Sequence, residues 1–348
     1  MTAPQVRAVV VSWNGAHLLP ACLSSLAAQT GDFELEVLVV DNASSDDTPR
    51  VLATHPGVAS VRTAANLGFA GGAALGTQDY GGDAVLLLNN DATLEPGALD
   101  RMVGELMAPG NERVGAVTAK ILLDGWFRAL PATSASPAPR TFRRAETDFD
   151  PVDGGTPGAI RVVNSTGNVV TRRGRGTDRD WLAADGTEVG AREVMGFCGG
   201  AALLRRTALA QVGGFDSWLF LYYEDTDVSW KMRAAGWRIV YLPTAVALHR
   251  HAASSDASSP LFRYYNTRNS LVVIGRHAPW PVVGRAAARQ TGGWLLSLLR
   301  PREPAAVRAA RGRGLRDALL RSPRTLVERR RVWQSAVVTR AEVGRFLL

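Results

Sequence analysis

Residues 85–91, Val-Leu-Leu-Leu-Asn-Asn-Asp, constrain the fold more than any other stretch of this chain: four apolar residues run without alternation into three polar ones. Such a run is expected of a strand buried on both faces, at the centre of a parallel sheet. Ligands of open α/β sheets sit outside the carboxyl ends of the strands, so Asn90 and Asp91 fall where chemistry is expected. Taken alone, the Asn-Asp pair serves equally as an Asx-type turn capping the helix that starts near Pro96. The company this strand keeps argues for a site.

Three further strands precede it, at 7–12, 36–40 and 58–62. Leu18, Leu19, Cys22, Leu23 and Leu26 recur at the spacing of one helix face, and the Ser/Asp cluster before Pro49 is a helix-start signal. Strand alternating with helix predicts an α/β fold, a parallel sheet with covered faces. Every strand ends in small polar residues: Ser12 and Asn14, Asp41 and Asn42, Asn66, then Asn90 and Asp91. Such a rim offers the donors and acceptors a nucleoside needs. No G-x-G-x-x-G follows the first strand and no G-x-x-x-x-G-K-[ST] occurs, so backbone amides alone are not expected to hold a diphosphate. A hard divalent cation on one or two carboxylates is the expected substitute.

Downstream, 114–123 reads as a strand, 131–193 as a long loop with a hairpin, and 194–204 as an apolar strand interrupted by glycines. Helices are expected over 206–212 and from Glu224 to about Ala235, and a strand over 237–242 leads to His249. From about residue 260 the pattern is helical and in places amphipathic. The composition, 46% hydrophobic and 21% charged, is globular. No export signal is visible and no apolar run reaches the roughly 18 residues of a spanning helix. Cys22 and Cys198 lie in apolar surroundings, as small core residues do, and a reducing cytoplasm fits. Residues 301–348 carry twelve Arg against four acids, the whole net charge of +8. This basic tail is either a solvated helical face or the contact with an anionic surface, membrane or nucleic acid.

Several ordered motifs resemble family 2 glycosyltransferases, especially their rhamnosyltransferase-like branch, over roughly residues 6–275. They are Val-Val-Ser-Trp-Asn-Gly at 10–15, Val-Asp-Asn-Ala-Ser-Ser-Asp-Asp-Thr at 40–48, Asn-Leu-Gly-Phe-Ala-Gly-Gly at 66–72, Leu-Leu-Asn-Asn-Asp at 87–91, and Gly-Gly-Phe-Asp through Tyr-Tyr-Glu-Asp-Thr-Asp at 213–227. The resemblance implies a GT-A fold, a mostly parallel central sheet flanked by helices, with a helical C-terminal extension. It implies a nucleotide-sugar-binding half at 1–110, an acceptor and catalytic half at 111–260, and the basic extension at 261–348. It also implies transfer of a sugar, rhamnose or a relative of it, from a nucleoside-diphosphate donor with inversion.

Carried over residue by residue, Asp41 binds base or ribose, and Asn66 with the Gly68 loop lines the nucleoside pocket beside Ser12, Asn14 and Asn90. Asn89-Asn90-Asp91 stands where the family has Asp-x-Asp. Because the first acid is Asn, a Mg or Mn site rests chiefly on Asp91, with His249 as a metal or diphosphate contact; His251 is read as surface. Asp225 is the general base by resemblance, in a first helical turn whose dipole steadies its charge. Glu224 orients the acceptor or the loop, and Asp227 complements the helix N-terminus. Arg268 pairs with a phosphate or makes a structural salt bridge, and Trp218 stacks on a sugar or packs in the core.

The expectation is therefore a cytoplasmic enzyme of cell-envelope polysaccharide synthesis, using a glycan or polyprenyl-linked acceptor. Its tail would lie on the inner face of the plasma membrane, with no nucleic acid as partner. A nucleotidyltransferase and a non-catalytic glycan- or membrane-binding homologue are the alternatives.

Overall fold

The computed structural model describes residues 2–132, 141–188, 191–250, 259–300 and 303–348. His251 and parts of 131–193 lie outside the described residues. The first half runs β1 (Gln5–Ser12), α1 (Leu19–Ala27), β2 (Glu34–Asp41), α2 (Thr48–Ala53), β3 (Ala59–Arg62), α3 (Gly68–Thr77), β4 (Ala84–Leu88), β5 (Ala92–Leu94) and α4 (Ala98–Met107). Next come β6 (Val114–Leu123), β7 (Trp126–Pro131), β8 (Phe142–Arg144), β9 (Thr147–Val152), β10 (Val163–Ser165), β11 (Asn168–Val170), β12 (Gly176–Asp178), β13 (Ala201–Arg205) and α5 (Arg206–Gln211). The chain closes with α6 (Glu224–Ala234), β14 (Arg238–His249), α7 (Pro260–His277), α8 (Trp280–Leu299), α9 (Ala305–Gln334) and α10 (Arg340–Gly344).

The main sheet has the order β3-β2-β1-β4-β13-β6-β14-β5, with β10 added beside β6. β1 to β4 pair in parallel, as do β6 and β14, whereas β13 lies antiparallel between β4 and β6. Leu86, Leu87 and Leu88 are at most 1% exposed, which accounts for the run without polar alternation. At about 1.5–3 kcal/mol per buried leucine, this central strand is a main anchor of the core. Leu19, Cys22, Leu23 and Leu26 of α1 and Leu99, Met102, Val103 and Leu106 of α4 cover one face. α3, α5 and α6 cover the other, around Val9, Val85, Leu87 and Leu204.

Two expectations are corrected. Residues 131–193 are not one long loop: β7, β9 and β8 form a small antiparallel sheet, β10 joins the main sheet, and β11 pairs with β12. Their apolar residues are divided between separate clusters, with Phe127, Phe149, Val162 and Leu182 in one and Val170 in another. No single periodicity therefore builds up along the chain. Likewise, the apolar stretch at 194–204 is a strand only over Ala201–Arg205.

β14 determines where the site lies. It follows β6 in parallel, shifts register between Leu242 and Val246, and ends antiparallel to β5 with His249 opposite Ala92. A residue far along the chain is thus set beside the end of β4. The C-terminal helices pack on α6 through a buried ionic cluster. Arg276, 2% exposed, reaches Asp227 at 2.6 Å, Glu328 at 2.7 Å and Asp216 at 2.9 Å. Asp227 also meets Lys231 and His277, each at 2.7 Å, so it does more than complement a helix end. These cations hold its carboxyl well below the usual range against the opposing effect of burial. Burial drives the imidazole of His277 down to about 4.

Candidate active site

The Asp91 side begins where β4 ends. His249 Nε2 lies 2.9 Å from Asp91 Oδ1, so these two predicted residues are brought together. His249 Nδ1 lies 2.6 Å from Asn164 Oδ1, and Asn89 Nδ2 lies 3.3 Å from Nε2. With Nδ1–H donating to the Asn164 carbonyl and Nε2 accepting from the Asn89 amide, the Nε2 lone pair faces a carboxylate oxygen. Two acceptors in contact are the donor set of a cation, and holding the imidazole from behind is how metal-binding histidines are oriented. Among the described residues no group of three or more His, Cys, Asp or Glu forms a metal site. The Asp91–His249 pair would suit a hard cation, an ion that also takes oxygens from phosphates and water.

Asp225 sits at the same end of the sheet, on the first turn of α6. Its Oδ2 accepts from Gly199 N at 3.2 Å and its Oδ1 from Thr226 N at 2.6 Å. The neighbouring Gly200 carbonyl accepts from Asn89 N at 3.1 Å, so two adjacent glycines tie the base candidate to the end of β4. Burial raises the Asp225 carboxyl despite these hydrogen bonds. The Glu224 carboxyl is pushed up to about 8 by burial first and the Asp225 charge second. Its Oε2 has no hydrogen-bond partner among the described residues.

The approach to this turn is strained. Phe220, Tyr222 and Tyr223 all have positive φ, of 65°, 69° and 73°. Such values cost non-glycine residues energy and persist where surroundings impose them. Asn269, fully buried, donates through Nδ2 to the carbonyls of Leu219, Leu221 and Tyr222, each at 2.8 Å. Arg268 adds hydrogen bonds to the carbonyls of Trp218 and Leu219 at 2.9 Å. Its guanidinium lies over one Trp218 ring contact at 3.9 Å while Arg321 makes another at 3.7 Å. Both residues, for which a ligand contact and a structural role were open, make structural contacts here and help to hold the loop.

On the nucleoside rim the polar residues meet in local turns. Asn14 Oδ1 accepts from Ser45 N at 2.8 Å, and buried Ser12 Oγ accepts from Asn90 Nδ2 at 3.2 Å. Asp41, 2% exposed, accepts from Ser44 N at 2.9 Å and pairs with Arg62 at 3.3 Å. Asn66 Oδ1 accepts from Gly68 N at 2.8 Å. Gly68 has φ +69°, and a Cβ there would lie 2.1 Å from the Phe220 carbonyl oxygen, so only glycine lets the two halves of the cleft touch.

Sequence reasoning missed the segment Asn164-Ser165-Thr166-Gly167-Asn168 and Asp178. Asn164 holds His249, and Asn168, bonded to the Phe197 carbonyl at 2.7 Å, is also a donor toward Asp225. Burial pushes the Asp178 carboxyl up to about 6; a Ser165 hydrogen bond opposes this, and the charges of Asp225 and His249 both reach it. The only available signal was a run of small polar residues in a region without periodicity.

Comparisons with known proteins agree with this geometry. Residues 8–213 match the family described as Glycosyl transferase family 2, and residues 141–294 match Glycosyl transferase family group 2. An N-acetylglucosaminyl-diphospho-decaprenol L-rhamnosyltransferase of Mycobacterium tuberculosis is 30% identical over 292 residues, 78% of this chain and 85% of the relative. Among solved structures, GalNAc-T7 with UDP, GalNAc and Mn2+ aligns at a TM-score of 0.59 and 13% identity, over 93% of this chain and 57% of that one. Residues 1–349 of S. aureus TarS align at a TM-score of 0.50 and 15% identity, over 98% and 89%. At those identities the structures speak to the fold, which is GT-A. The chain belongs to glycosyl transferase family 2 and is a glycosyltransferase.

Proposed function

We propose that the chain transfers a sugar, rhamnose or a close relative, from a nucleoside-diphosphate donor to a polyprenyl-linked glycan acceptor in cell-envelope polysaccharide synthesis, with inversion. The observation that carries this reading is the 2.9 Å approach of His249 to Asp91 at the strand end that the Gly199-Gly200 pair links to Asp225. Similarity to the mycobacterial rhamnosyltransferase supports the sugar and the diphosphate-linked acceptor. Asp91 and His249 would hold a Mg or Mn ion, which when bound supplies Lewis-acid stabilisation of the leaving diphosphate. Asp225 accepts the proton of the acceptor hydroxyl as that oxygen attacks the anomeric carbon, and the diphosphate leaves from the opposite face. Glu224, protonated at neutral pH, keeps a second negative charge away from the attacking oxygen.

A place on the inner face of the plasma membrane is supported by α9. Its solvent side carries Arg313, Arg316, Arg324 and Arg330 with Leu319 and Leu320, while Asp317 and Glu328 are engaged within the protein. No helix among the described residues is long and apolar enough to cross a membrane.

The test is a nucleotide-sugar panel read by thermal shift with and without Mn2+, since a ligand of the native state raises the melting temperature. Asp91→Ala is expected to abolish the donor-dependent shift. Asp225→Asn should keep it while turnover falls about 10²–10⁴-fold. A normal turnover in Asp225→Asn sinks the base assignment, and a panel without any shift sinks the donor class.

A further inference from the structure

The β11–β12 hairpin turns at residues 171–175, Thr-Arg-Arg-Gly-Arg. One end of it lies in the catalytic cleft, where Gly176 N donates to Tyr223 Oη at 3.0 Å and Asp178 feels the charges of Asp225 and His249. The turn rests on α8. Gly174 has φ +68°, and a Cβ there would come within 2.5 Å of Ala286 Cβ. Arg289 Nη2 donates to the Gly174 carbonyl at 3.0 Å, and Arg285 Nη1 to the Arg172 carbonyl at 3.2 Å.

Arg175, Arg285 and Arg289 are thereby brought to this turn, and among the described residues none of them pairs with a carboxylate. The cationic charges of Arg289 and Arg175 both reach the Tyr223 phenol, two residues before the base. Arg289 Nε is buried without a hydrogen-bond partner. Unpaired guanidiniums repel one another, and a buried N–H without an acceptor is left desolvated with nothing in exchange. An oxyanion placed between them relieves both, and guanidinium planes suit phosphate oxygens in bidentate fashion.

We propose that these three arginines bind the phosphate or diphosphate group of the acceptor. The proposal rests on the reading of the chain as a transferase acting on a diphosphate-linked acceptor. The donor diphosphate is accounted for at Asp91 and His249, and the arginines lie farther along the hairpin. Arg175 is three residues before Asp178 on an extended strand, roughly 10 Å at 3.3 Å per residue. That is comparable to the reach from a ring hydroxyl across one sugar to a phosphate on its anomeric oxygen.

The experiment compares two soluble acceptors, N-acetylglucosamine joined through a diphosphate to a short alkyl chain and the matching neutral alkyl glycoside. Arg175→Gln and Arg289→Gln are each expected to raise the KM for the diphosphate acceptor at least tenfold. The KM for the neutral glycoside and the donor-dependent thermal shift should stay at wild-type values, and Arg175→Lys should recover part of the loss. The Arg175 side chain makes no hydrogen bond to the protein among the described residues, so its variant tests the idea even if Arg289→Gln loosens the hairpin. Unchanged KM for the diphosphate acceptor in Arg175→Gln overturns the proposal while leaving the transferase reading intact. So does loss of pelleting with phosphatidylglycerol vesicles at unchanged KM, which would make the cluster a headgroup contact. A wild-type chain that transfers to neither acceptor overturns the transferase reading, and this proposal with it.

Discussion

The two sides of the cleft are built differently. On the nucleoside rim, most polar side chains are satisfied by nearby turns: Asn66 bonds two residues on, Asp41 three and Asn14 thirty-one, with Ser12 meeting Asn90 across 78 as the long-range exception. On the catalytic side the partners come from distant parts of the chain. Asn89 meets His249 across 160 residues, Asn164 meets His249 across 85, and Asn269 meets Leu219 across 50. Successive βα units can assemble the first side almost one at a time. The second exists only once the sheet, the β11–β12 hairpin and the C-terminal helices are all in place. A basic extension that looks peripheral in sequence is therefore part of what holds the loop leading to Asp225.

The sharpest way to break this contrast is Arg276→Ala. It leaves Asp227, Asp216 and Glu328 without their common cation, and removing one partner of a buried ionic cluster costs about 3–5 kcal/mol. Urea denaturation should show that loss; a change below about 1 kcal/mol would mean that the C-terminal helices are an independent appendage.

A subtler effect is expected of Glu224→Gln. The native Glu224 carboxyl titrates near 8 rather than at its ordinary 4.5, so the stability it contributes is fully present below pH 4.5 and drains away as pH rises through 8. Gln imitates the protonated form. The variant should match wild type in acid, gain on it as pH rises from about 4.5 to about 8, and keep that lead above, as read by melting temperature against pH. Because Glu224 is still protonated where Asp225 ionises, the acid limb of kcat/KM should stay in place in the variant, while any alkaline inflection that Glu224 contributes should disappear. An acid limb that moves to lower pH would mean that Glu224 is charged there and would refute this order of titration.

The smallest effect belongs to the rim. Asn14→Ala gives up a part-exposed hydrogen bond to Ser45 and should cost about 0.5–1.5 kcal/mol in stability, with weaker donor binding and unchanged turnover of bound donor. A large fall in kcat instead would place Asn14 on the catalytic side of the division.

Much of this was legible beforehand. The run into Asp91, the helix-start chemistry before Pro49 and the Glu224-Asp225 pair are short-range patterns, and with the family resemblance they picked out the acids at the end of β4 and on the first turn of α6. Asn164, Asp178 and Asn269 were not legible in their roles. The first two lie where apolar residues serve different clusters, so no strand period emerges to set a side chain's direction. For Arg268 and Trp218 a sequence shows that a guanidinium and an indole are present, not that they face each other at 3.9 Å.

By itself, then, the sequence determined the α/β class, the strand ends that carry polar groups and the family motifs, because apolar period, turn residues and caps act over a few residues. Only the tertiary structure decided which of those groups meet. The register that sets His249 opposite Ala92 and the turn that presents Asp225 to Gly199 depend on burying surfaces contributed by the whole chain.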